Sequence, residues 1–507
     1  MRIGLEIFDS TLKKEWDLLA ILRGVDRWFS TEELREKLDV TPAYLLKLIN
    51  KLVSDIDEFG DNQLEVLVSK GRGIRFKTNH SDANPRDLLI FLTEETLGFA
   101  LFKALLNEDF GSTQKFAYDH FVSDATVRRT LNKFRDAIKP YEIEILRNNA
   151  VIDGKETQIR LFLNIVLWKI YAGKGWPFDG VNEQYVDFLT DELIKEGKLH
   201  LTALQKRQLM YQIAIAMIRR RNQHFVEYEP AWAEVLENNR AFSLFKQKTS
   251  PFSTTFSNSA PGEIAFLYLL LIIQNENLQT LPLLKMNFLE NKKNHSSVYQ
   301  ATEILFETIN QTIVEIPEDK QELFLLNAFS FHLFAKTFHH FSTDINGYDS
   351  EVAFDPSLPS PIVKSLQTNI RKLIDNLYKK TKNEIFLKSD YLVSKYALLF
   401  GYIGAHLFYE PKVTIKISTD LPYLAYLRIR ERICNLYGNS FNIQFIDETA
   451  PEKSDILLTN IPLEQHVKRH VSDRIIFINR SLTTRNMLLL GRNLHEITVE
   501  KQTLNTK

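Results

Sequence analysis

Two segments of the chain, residues 30–57 and 112–139, carry the same residue pattern at positions 82 residues apart. Each segment begins with a Ser-Thr pair and reaches a hydroxyl residue, Thr41 or Ser123, after a short stretch of chain. Apolar residues then recur at the fourth, eighth, eleventh and fifteenth positions after that hydroxyl residue. This spacing predicts a short helix, a turn, and a second helix that buries one face. The predicted buried residues are Leu45, Ile49, Leu52 and Ile56 in the first copy, and Val127, Leu131, Phe134 and Ile138 in the second.

The positions between the predicted buried ones face solvent, and many of them are Arg, Lys or Asn. These side chains reach phosphates and base edges when a helix lies in the major groove of DNA. A single copy would fit a three-helix bundle with solvated charges equally well. Two copies with matching caps and faces favour tandem helix-turn-helix modules that bind double-stranded DNA. The predicted contact residues are Tyr44, Lys47, Asn50 and Lys51 on the first helix and Arg128, Arg129, Asn132 and Lys133 on the second, where Arg135 is also predicted to face solvent.

A β-hairpin is predicted after the first copy. Alternating apolar residues lie on both sides of Gly71 and Gly73, and Arg72 and Arg75 are at or beside the turn. Such a hairpin is the wing of a winged helix-turn-helix module. We expect Arg72 and Arg75 to contact phosphates or the minor groove, because wing tips usually meet the DNA backbone.

The second copy has a shorter predicted wing. A helix at about 86–107 precedes this copy, and apolar runs at 141–146 and 150–152 follow it. A turn is predicted at Asp153 and Gly154. These features indicate a second winged module.

The remaining chain changes its pattern twice. Amphipathic helices with few strand signals extend from about 178 to 405, which fits two helical bundles. After residue 411, short apolar runs alternate with helical patterns, which indicates a small parallel sheet, and the last dozen residues are predicted to be frayed. The predicted fold is multidomain and mainly α, with winged helix-turn-helix modules at 1–80 and 81–172, helical domains at 178–288 and 289–408, and an α/β domain at 411–500.

The composition limits the classes of function. The 63 Lys and Arg residues nearly balance the 64 Asp and Glu residues, so a DNA-binding surface must arise from local segregation of charge. The single cysteine, Cys434, excludes an intramolecular disulfide and fits a reducing cytosol. Residues 1–22 lack the apolar core of a secretory signal, and the most apolar stretch, 264–273, is half of the about 20 residues that a membrane span needs. We expect a soluble cytoplasmic protein that does not contact membranes.

The motifs of common enzyme classes are not found in the sequence. Gly71 and Gly73 lack the third glycine and the following helix of a dinucleotide site, and neither a P-loop nor a GxSxG motif occurs. His339 and His340 with Asp344 lack the spacing and the partner residues of a zinc site. We expect no enzymatic activity, no metal and no cofactor.

The order of these parts resembles the Mga family of virulence and growth regulators of Gram-positive bacteria. The resemblance extends over nearly the whole chain and depends on the architecture and on the paired motifs. It implies a transcriptional regulator whose helical bundles are phosphotransferase-system regulation domains (PRDs). In such domains the phosphocarrier protein of the sugar-uptake system can phosphorylate histidines. The resemblance also implies that the C-terminal domain is similar to a phosphotransferase IIB component and forms homodimers.

Three histidines of the helical region are candidates for this phosphorylation. A phosphoacceptor histidine must expose a ring nitrogen and lie near cations that accommodate the added charge. The alternative for each of them is an ordinary structural histidine. The candidates are His200, His224, which follows three arginines, and His332 on a helix predicted at 318–341.

The C-terminal domain departs from catalytic IIB components of the cysteine type. Those proteins carry a phosphorylated cysteine in the loop after the first strand, whereas this chain has Ser418, Thr419 and Asp420 there. Cys434 lies instead in a predicted helix, as a small buried hydrophobe. Self-association is therefore expected of this domain, and a sugar-phosphotransferase activity is not.

Two other functions stay open at this stage, an RNA-binding antiterminator-like regulator and a helical scaffold protein. Antiterminators with similar regulation domains place a small β-rich RNA-binding domain in front of them. The helix-turn-helix units at that place in this chain favour DNA.

Overall fold

The computed structural model describes residues 4–60, 63–78, 84–147, 150–249, 261–274, 281–348, 360–447, 449–462, 472–479 and 481–505. Over these residues the chain is mainly helical and forms three small β-sheets, the last of them parallel, which confirms the predicted fold class. The chain divides into two compact units, Met1–Asn294 with Lys336–Tyr348, and His295–Ala335 with Asp349–Lys507. No helix in the described part of the chain is long and apolar enough to cross a membrane.

The first winged module has the predicted order of helices and strands. Ser30 and Thr41 cap the two helices of the motif, because their hydroxyl oxygens accept hydrogen bonds from the backbone N–H groups of Glu33 and Tyr44. The four apolar residues predicted to be buried on the second helix are each at most 5% exposed. The module comprises helices α1 (Ser10–Gly24), α2 (Thr31–Leu38) and α3 (Pro42–Phe59) and strands β1 (Leu64–Ser69) and β2 (Gly73–Thr78).

The wing of the first module is an antiparallel hairpin, and its second strand also pairs with the segment between α1 and α2. Ser69 lies opposite Gly73 at the end of the β1–β2 ladder, and Phe29 pairs with Ile74. Gly73 has a φ of 103°, and a Cβ atom there would lie 2.0 Å from the carbonyl oxygen of Phe29. Only glycine therefore permits this close approach.

The second winged module repeats the first. Ser112 and Ser123 cap the two helices of the motif, and the four predicted buried residues of the second helix are at most 4% exposed. The module comprises helices α4 (Arg86–Glu94), α5 (Leu97–Asn107), α6 (Thr113–Asp119) and α7 (Asp124–Ile138) and the antiparallel strands β3 (Ile143–Ile145) and β4 (Ile152–Gly154).

Two predicted features of this module are wrong. The single helix predicted at 86–107 is two helices, because the Thr96 hydroxyl accepts the N–H of Phe99 and starts α5 anew. Asp153 and Gly154 form the end of strand β4 and not a turn, and the backbone N–H of Leu146 donates to the carbonyl oxygen of Val151 just before that strand.

An aromatic cluster joins the two modules. The ring of Phe8, just before α1, lies 5.6 to 5.9 Å from the rings of Phe99, Phe102 and Phe134, measured between centroids. A Cβ atom on Gly98 would lie 2.3 Å from the carbonyl oxygen of Phe8. Only glycine at position 98 therefore permits α5 to approach the Phe8 segment this closely. The first and second modules therefore share part of their apolar core.

The rest of the first unit is helical. The first of its remaining helices, Glu156–Tyr171, is buried on nearly all sides. The apolar stretch at 264–273 lies in another buried helix. The helices are α8 (Glu156–Tyr171), α9 (Glu183–Gly197), α10 (Ala203–Arg221), α11 (Ala233–Leu236), α12 (Arg240–Thr249), α13 (Pro261–Ile273) and α14 (Leu281–Lys293).

The second unit combines helices with the C-terminal sheet. Its four strands are parallel, in the order β6-β5-β7-β8, as predicted for an α/β domain. The helices are α15 (Ser297–Thr312), α16 (Glu318–Thr337, whose last two residues belong to the first unit), α17 (Ser360–Thr381), α18 (Ser389–Ile403), α19 (Tyr423–Tyr437) and α20 (Thr484–Asn505), and the strands are β5 (Val413–Ser418), β6 (Ile443–Ile446), β7 (Ser454–Thr459) and β8 (Ser472–Phe477).

Two predictions for the C-terminal domain are also wrong. Residues 496–505, which were predicted to be frayed, form the end of helix α20, in which Glu500 pairs with Arg474 of β8 and Lys501 pairs with Asp455 of β7. Residues 506 and 507 lie outside the described residues. Cys434 is exposed on α19 and not buried.

Candidate nucleic-acid interface

The recognition helix of the first module, α3, exposes part of the predicted contact set. Lys47 and Asn50 are exposed, while Tyr44 is half-buried. The whole helix carries two lysines against three acidic residues near its C-terminal end. Its charge alone therefore attracts a phosphate backbone weakly.

Lys51 faces inward to a greater extent than the sequence indicated. Its Nζ atom donates to the Oε2 atom of Glu15 on α1 at 2.8 Å and also pairs with Asp55. The Glu15 side chain is almost fully buried, and burial raises the pKa of its carboxyl group to about 8. Lys51 therefore ties α3 to α1, while its side chain stays 40% exposed.

The wing of the first module presents one of its two predicted arginines. Arg72 is exposed in the turn between β1 and β2, beside the exposed Lys70. The guanidinium of Arg75 instead donates to the Oδ1 atom of Asp26, with its Nη2 atom at 2.8 Å. Arg72 is therefore the better placed of the two to meet a phosphate.

The recognition helix of the second module, α7, is more cationic. It carries four basic residues against two acidic ones. Arg128 and Arg129 are exposed, and Arg128 donates from Nε to the Oδ2 atom of Asp124 at 2.6 Å within the same helix. Asn132 is exposed and Lys133 is half-buried. The predicted contacts of this copy are thus brought together on one helix.

Arg135 has a structural contact that the sequence did not indicate. Its Nε atom donates to the carbonyl oxygen of Ile145 in β3 at 3.2 Å, and its Nη1 atom donates to Asn132 at 3.1 Å. Burial lowers the pKa of this guanidinium. Arg135 is therefore half-buried and fixes the wing to α7.

Sequence reasoning did not select four exposed residues of the second module. Lys115 and Tyr118 lie on α6, Phe121 lies in the turn before α7, and Arg147 lies in the wing loop. The repeat itself contained a signal for Phe121, because an exposed-turn position that holds Asp39 in the first copy holds an aromatic residue in the second.

The candidate His200 is exposed in the loop between α9 and α10. It lines a cavity of about 290 Å³ together with Lys198 and Lys248. The remaining lining is largely apolar and includes Phe245 and Met286. His200 thus combines an exposed ring with cations on the same cavity wall.

The candidate His224 is held by an acid. Its Nε2 atom lies 2.6 Å from the Oε1 atom of Glu108, which also pairs with Arg219 at 3.2 Å. Arg219 is fully buried and forms a second ion pair with Glu156 at 2.9 Å. The charge of Arg219 is therefore shared between two carboxylates, those of Glu108 and Glu156.

The same buried network continues across α8. Arg160 binds both carboxylate oxygens of Glu263 on α13, at 2.7 and 2.8 Å, and pairs with Glu156 at 2.8 Å. Burial by itself would raise the pKa of Glu156, but its hydrogen bonds with Arg219 and Arg160 hold it below its usual value. The network fixes α8 against α10 and α13.

The candidate His332 does not expose a ring nitrogen. Its Nδ1 atom lies 2.9 Å from the Thr302 hydroxyl oxygen, and its Nε2 atom lies 2.5 Å from the Tyr396 hydroxyl oxygen. The residue is fully buried, and burial lowers the pKa of the imidazole to about 3. The expected accessibility of His332 is wrong, because the ring is a neutral part of the core of the second unit.

Among the residues that the structure describes, no group of three or more His, Cys, Asp or Glu side chains is arranged to hold a metal ion.

Comparison with known proteins identifies the second module. Residues 82–166 match the family described as the Mga helix-turn-helix domain. The matched range begins just before α4 and ends within α8, so it includes the cationic helix α7.

Two curated proteins of Bacillus anthracis are also similar to the chain. The capsule synthesis positive regulator AcpB is 21% identical over 244 residues, which are 48% of this chain and 48% of that protein. The anthrax toxin expression trans-acting positive regulator is 23% identical over 265 residues, which are 52% of this chain and 54% of that protein. The chain thus spans about half the length of the curated relatives it matches. The predicted resemblance to the Mga family is confirmed by these matches.

Proposed function

We propose that this chain, which carries an Mga helix-turn-helix domain at 82–166, is a transcriptional regulator that binds double-stranded DNA in the cytoplasm. One observation carries the proposal. The helix α7 of the matched domain buries one face in the core while Arg128 and Arg129 project from the opposite face. The two relatives are named as positive regulators of capsule synthesis and of toxin expression, which supports a role in transcription.

In this proposal the second module makes the main contact. Arg128, Arg129 and Asn132 meet base edges and phosphates as α7 enters the major groove. Lys47 and Arg72 of the first module add contacts to the backbone. The balance of charge on the two helices supports the second module as the main contact, because α7 has an excess of basic residues and α3 has an excess of acidic ones.

The test is equilibrium binding of the full-length chain to a labelled duplex DNA and to an RNA of the same sequence. We expect the duplex to bind more tightly and its affinity to fall as salt rises, because phosphate contacts release counterions. Tighter binding of RNA would favour the antiterminator-like alternative. Binding of neither nucleic acid would favour a scaffold protein.

We further propose that phosphorylation regulates the chain and that His200 is the residue modified. An added phosphate carries a charge approaching −2 and needs cations beside it. The exposed ring of His200 shares a cavity with Lys198 and Lys248, whereas His224 lies against Glu108 and His332 is fully buried. The donor implied by the family resemblance is the histidine-phosphorylated phosphocarrier protein.

This proposal is tested by incubating the full chain with the phosphorylated carrier and locating acid-labile phosphate by mass spectrometry. We expect the label on His200 and its loss in His200→Ala. The matched control is His295→Ala, since His295 is also an exposed histidine and should leave the label in place. Label that persists in the first variant would contradict the assignment.

We also propose that the chain self-associates through its C-terminal α/β domain. The helices α19 and α20 expose several large apolar side chains, and such patches mark association surfaces. Sedimentation of Leu424→Glu with Leu488→Glu should show a smaller species than the unchanged chain. An unchanged sedimentation coefficient would move the interface elsewhere. The exposed residues are Tyr423, Leu424, Leu436, Leu488 and Leu489.

A further inference from the structure

Two aromatic side chains are exposed to solvent where α6 ends and the turn to α7 begins. Tyr118 is 82% exposed and Phe121 is 97% exposed. The ring of His120, which is also exposed, lies 4.2 Å from the buried ring of Phe116, measured between centroids. A phenylalanine that buries almost none of its surface contributes no apolar stabilisation to this fold.

The backbone at Phe121 is strained. Its φ of 53° lies in the left-handed region, which is unfavourable for a bulky side chain. The matching position of the first module, Asp39, has a φ of 50°, and Asp is among the residues that tolerate this conformation. The two turns therefore share a backbone conformation, but this conformation is less favourable for Phe121 in the second turn than for Asp39 in the first. Strain of this kind is concentrated at functional sites.

The charges of the same two helices indicate what the aromatic residues meet. Phe121 lies two residues before the N-cap Ser123 of α7, and the exposed cations Lys115, Arg128 and Arg129 lie on α6 and α7. An exposed ring on a turn whose two flanking helices carry exposed cations fits a polyanion that carries apolar groups. Duplex DNA has this chemistry in its major groove, where the 5-methyl group of thymine is the apolar group that phenylalanine contacts.

We propose that Phe121 contacts a thymine methyl group in the major groove when α7 binds DNA, and thereby contributes to the choice of operator. This contact rests on the proposed DNA binding of the second module. Tyr118, three residues earlier on α6, is also exposed, and its carbonyl oxygen accepts the backbone N–H of Phe121 at 3.3 Å.

The experiment uses the full-length chain and a duplex selected by that chain from a random-sequence pool. Each thymine of the duplex is replaced singly by deoxyuridine, which lacks only the methyl group. We expect one position at which the replacement lowers affinity about fourfold, the factor that corresponds to one buried methyl-sized group. Phe121→Asn should bind the thymine duplex about fourfold more weakly and should not respond to deoxyuridine at that position.

A stability measurement separates this role from a structural one. Asn tolerates the left-handed conformation, so Phe121→Asn should raise the midpoint of thermal unfolding while it lowers the affinity for DNA. Phe121→Tyr keeps the ring and should keep both the affinity and the response to deoxyuridine. Asp39→Asn is the matched change in the first module and should leave the deoxyuridine response unchanged.

The outcomes distinguish this proposal from the one on which it rests. Salt-dependent duplex binding without a deoxyuridine response, or with the same response in Phe121→Asn, overturns the thymine contact and leaves DNA binding intact. An Asn variant that binds DNA normally but no longer activates a reporter overturns it in favour of a protein partner. Failure of the unchanged chain to bind any duplex overturns both proposals.

Discussion

Replacing Arg128, Arg129 and Lys133 together with Ala should flatten the salt dependence of DNA binding. These three side chains lie on α7, and none of them is held by an ion pair to a distant part of the chain in the described structure. Together with Lys47 and Arg72 they make five accessible cations of the predicted contact set. The predicted residues Lys51 and Arg75 are left out of this number because Glu15 and Asp26 hold them.

The magnitude follows from the number of accessible cations. Each phosphate contact contributes about −0.9 to the slope of log K against log salt, so five contacts give about −4.5 per protomer and two give about −1.8. A fourfold rise in salt concentration should therefore weaken the unchanged chain about 500-fold and the triple variant about 12-fold. At low salt the unchanged chain should bind the more tightly of the two.

The assay is fluorescence anisotropy of a labelled duplex at several salt concentrations. The matched control replaces Arg240, Lys246 and Lys293, which are exposed cations of α12 and α14, so the net charge changes equally in both variants. The control should keep the original slope. A triple variant of α7 that keeps the slope would refute the assignment of the main contact to this helix.

Three further predictions concern stability. Gly73→Ala should destabilise the first module by about 1–3 kcal/mol because it combines backbone strain with a clash, and faster hydrogen exchange of the β1–β2 amides would report it. Arg160→Met should destabilise the first unit by about 3–5 kcal/mol since it leaves a buried carboxylate unpaired, while adding Glu263→Met should restore most of the stability in urea unfolding. Burial lowers the pKa of His332 to about 3, so the unfolded chain takes up a proton below pH 6.5 that the folded chain does not. The unchanged chain should therefore lose up to about 1.4 kcal/mol per pH unit between pH 6.5 and 3 relative to His332→Phe, as measured by the difference between their urea midpoints.

The local features of the winged modules were predictable from the sequence. A hydroxyl cap and the buried face of a helix depend only on residues within that helix. The four apolar residues predicted after Thr41 and the four after Ser123 are therefore buried as expected. The parallel sheet was predictable for a similar reason, since each strand is a short apolar run bounded by polar residues. Two copies of the same motif strengthened the prediction because their common positions could be compared.

Features that depend on distant residues were not predictable. Lys51 and Arg75 look like free cations in the sequence, but Glu15 and Asp26, which pair with them, lie 36 and 49 residues away. The second partner of Lys51, Asp55, lies only four residues away on the same helix. His332 occurs on an amphipathic helix, yet its burial is decided by packing against Thr302 and Tyr396. The ion pairs and the exposure of a side chain therefore depend on the tertiary structure. For this reason the spacing of residues along each helix predicts more unpaired cations than the structure contains among its described residues.

The cluster of Phe8 with Phe99, Phe102 and Phe134 holds the two winged modules, for which we propose DNA binding, at a fixed separation. Because these rings join the first module to α5 and α7 of the second, the separation of α3 and α7 is set by the protein. Duplex DNA turns once in about 10.5 base pairs, so two elements at fixed separation can both enter the groove only in one helical phase. An operator should therefore tolerate an added full turn between its two contacted segments poorly, and an added half turn hardly at all. The number of base pairs between these segments should therefore affect the affinity of the chain for its operator.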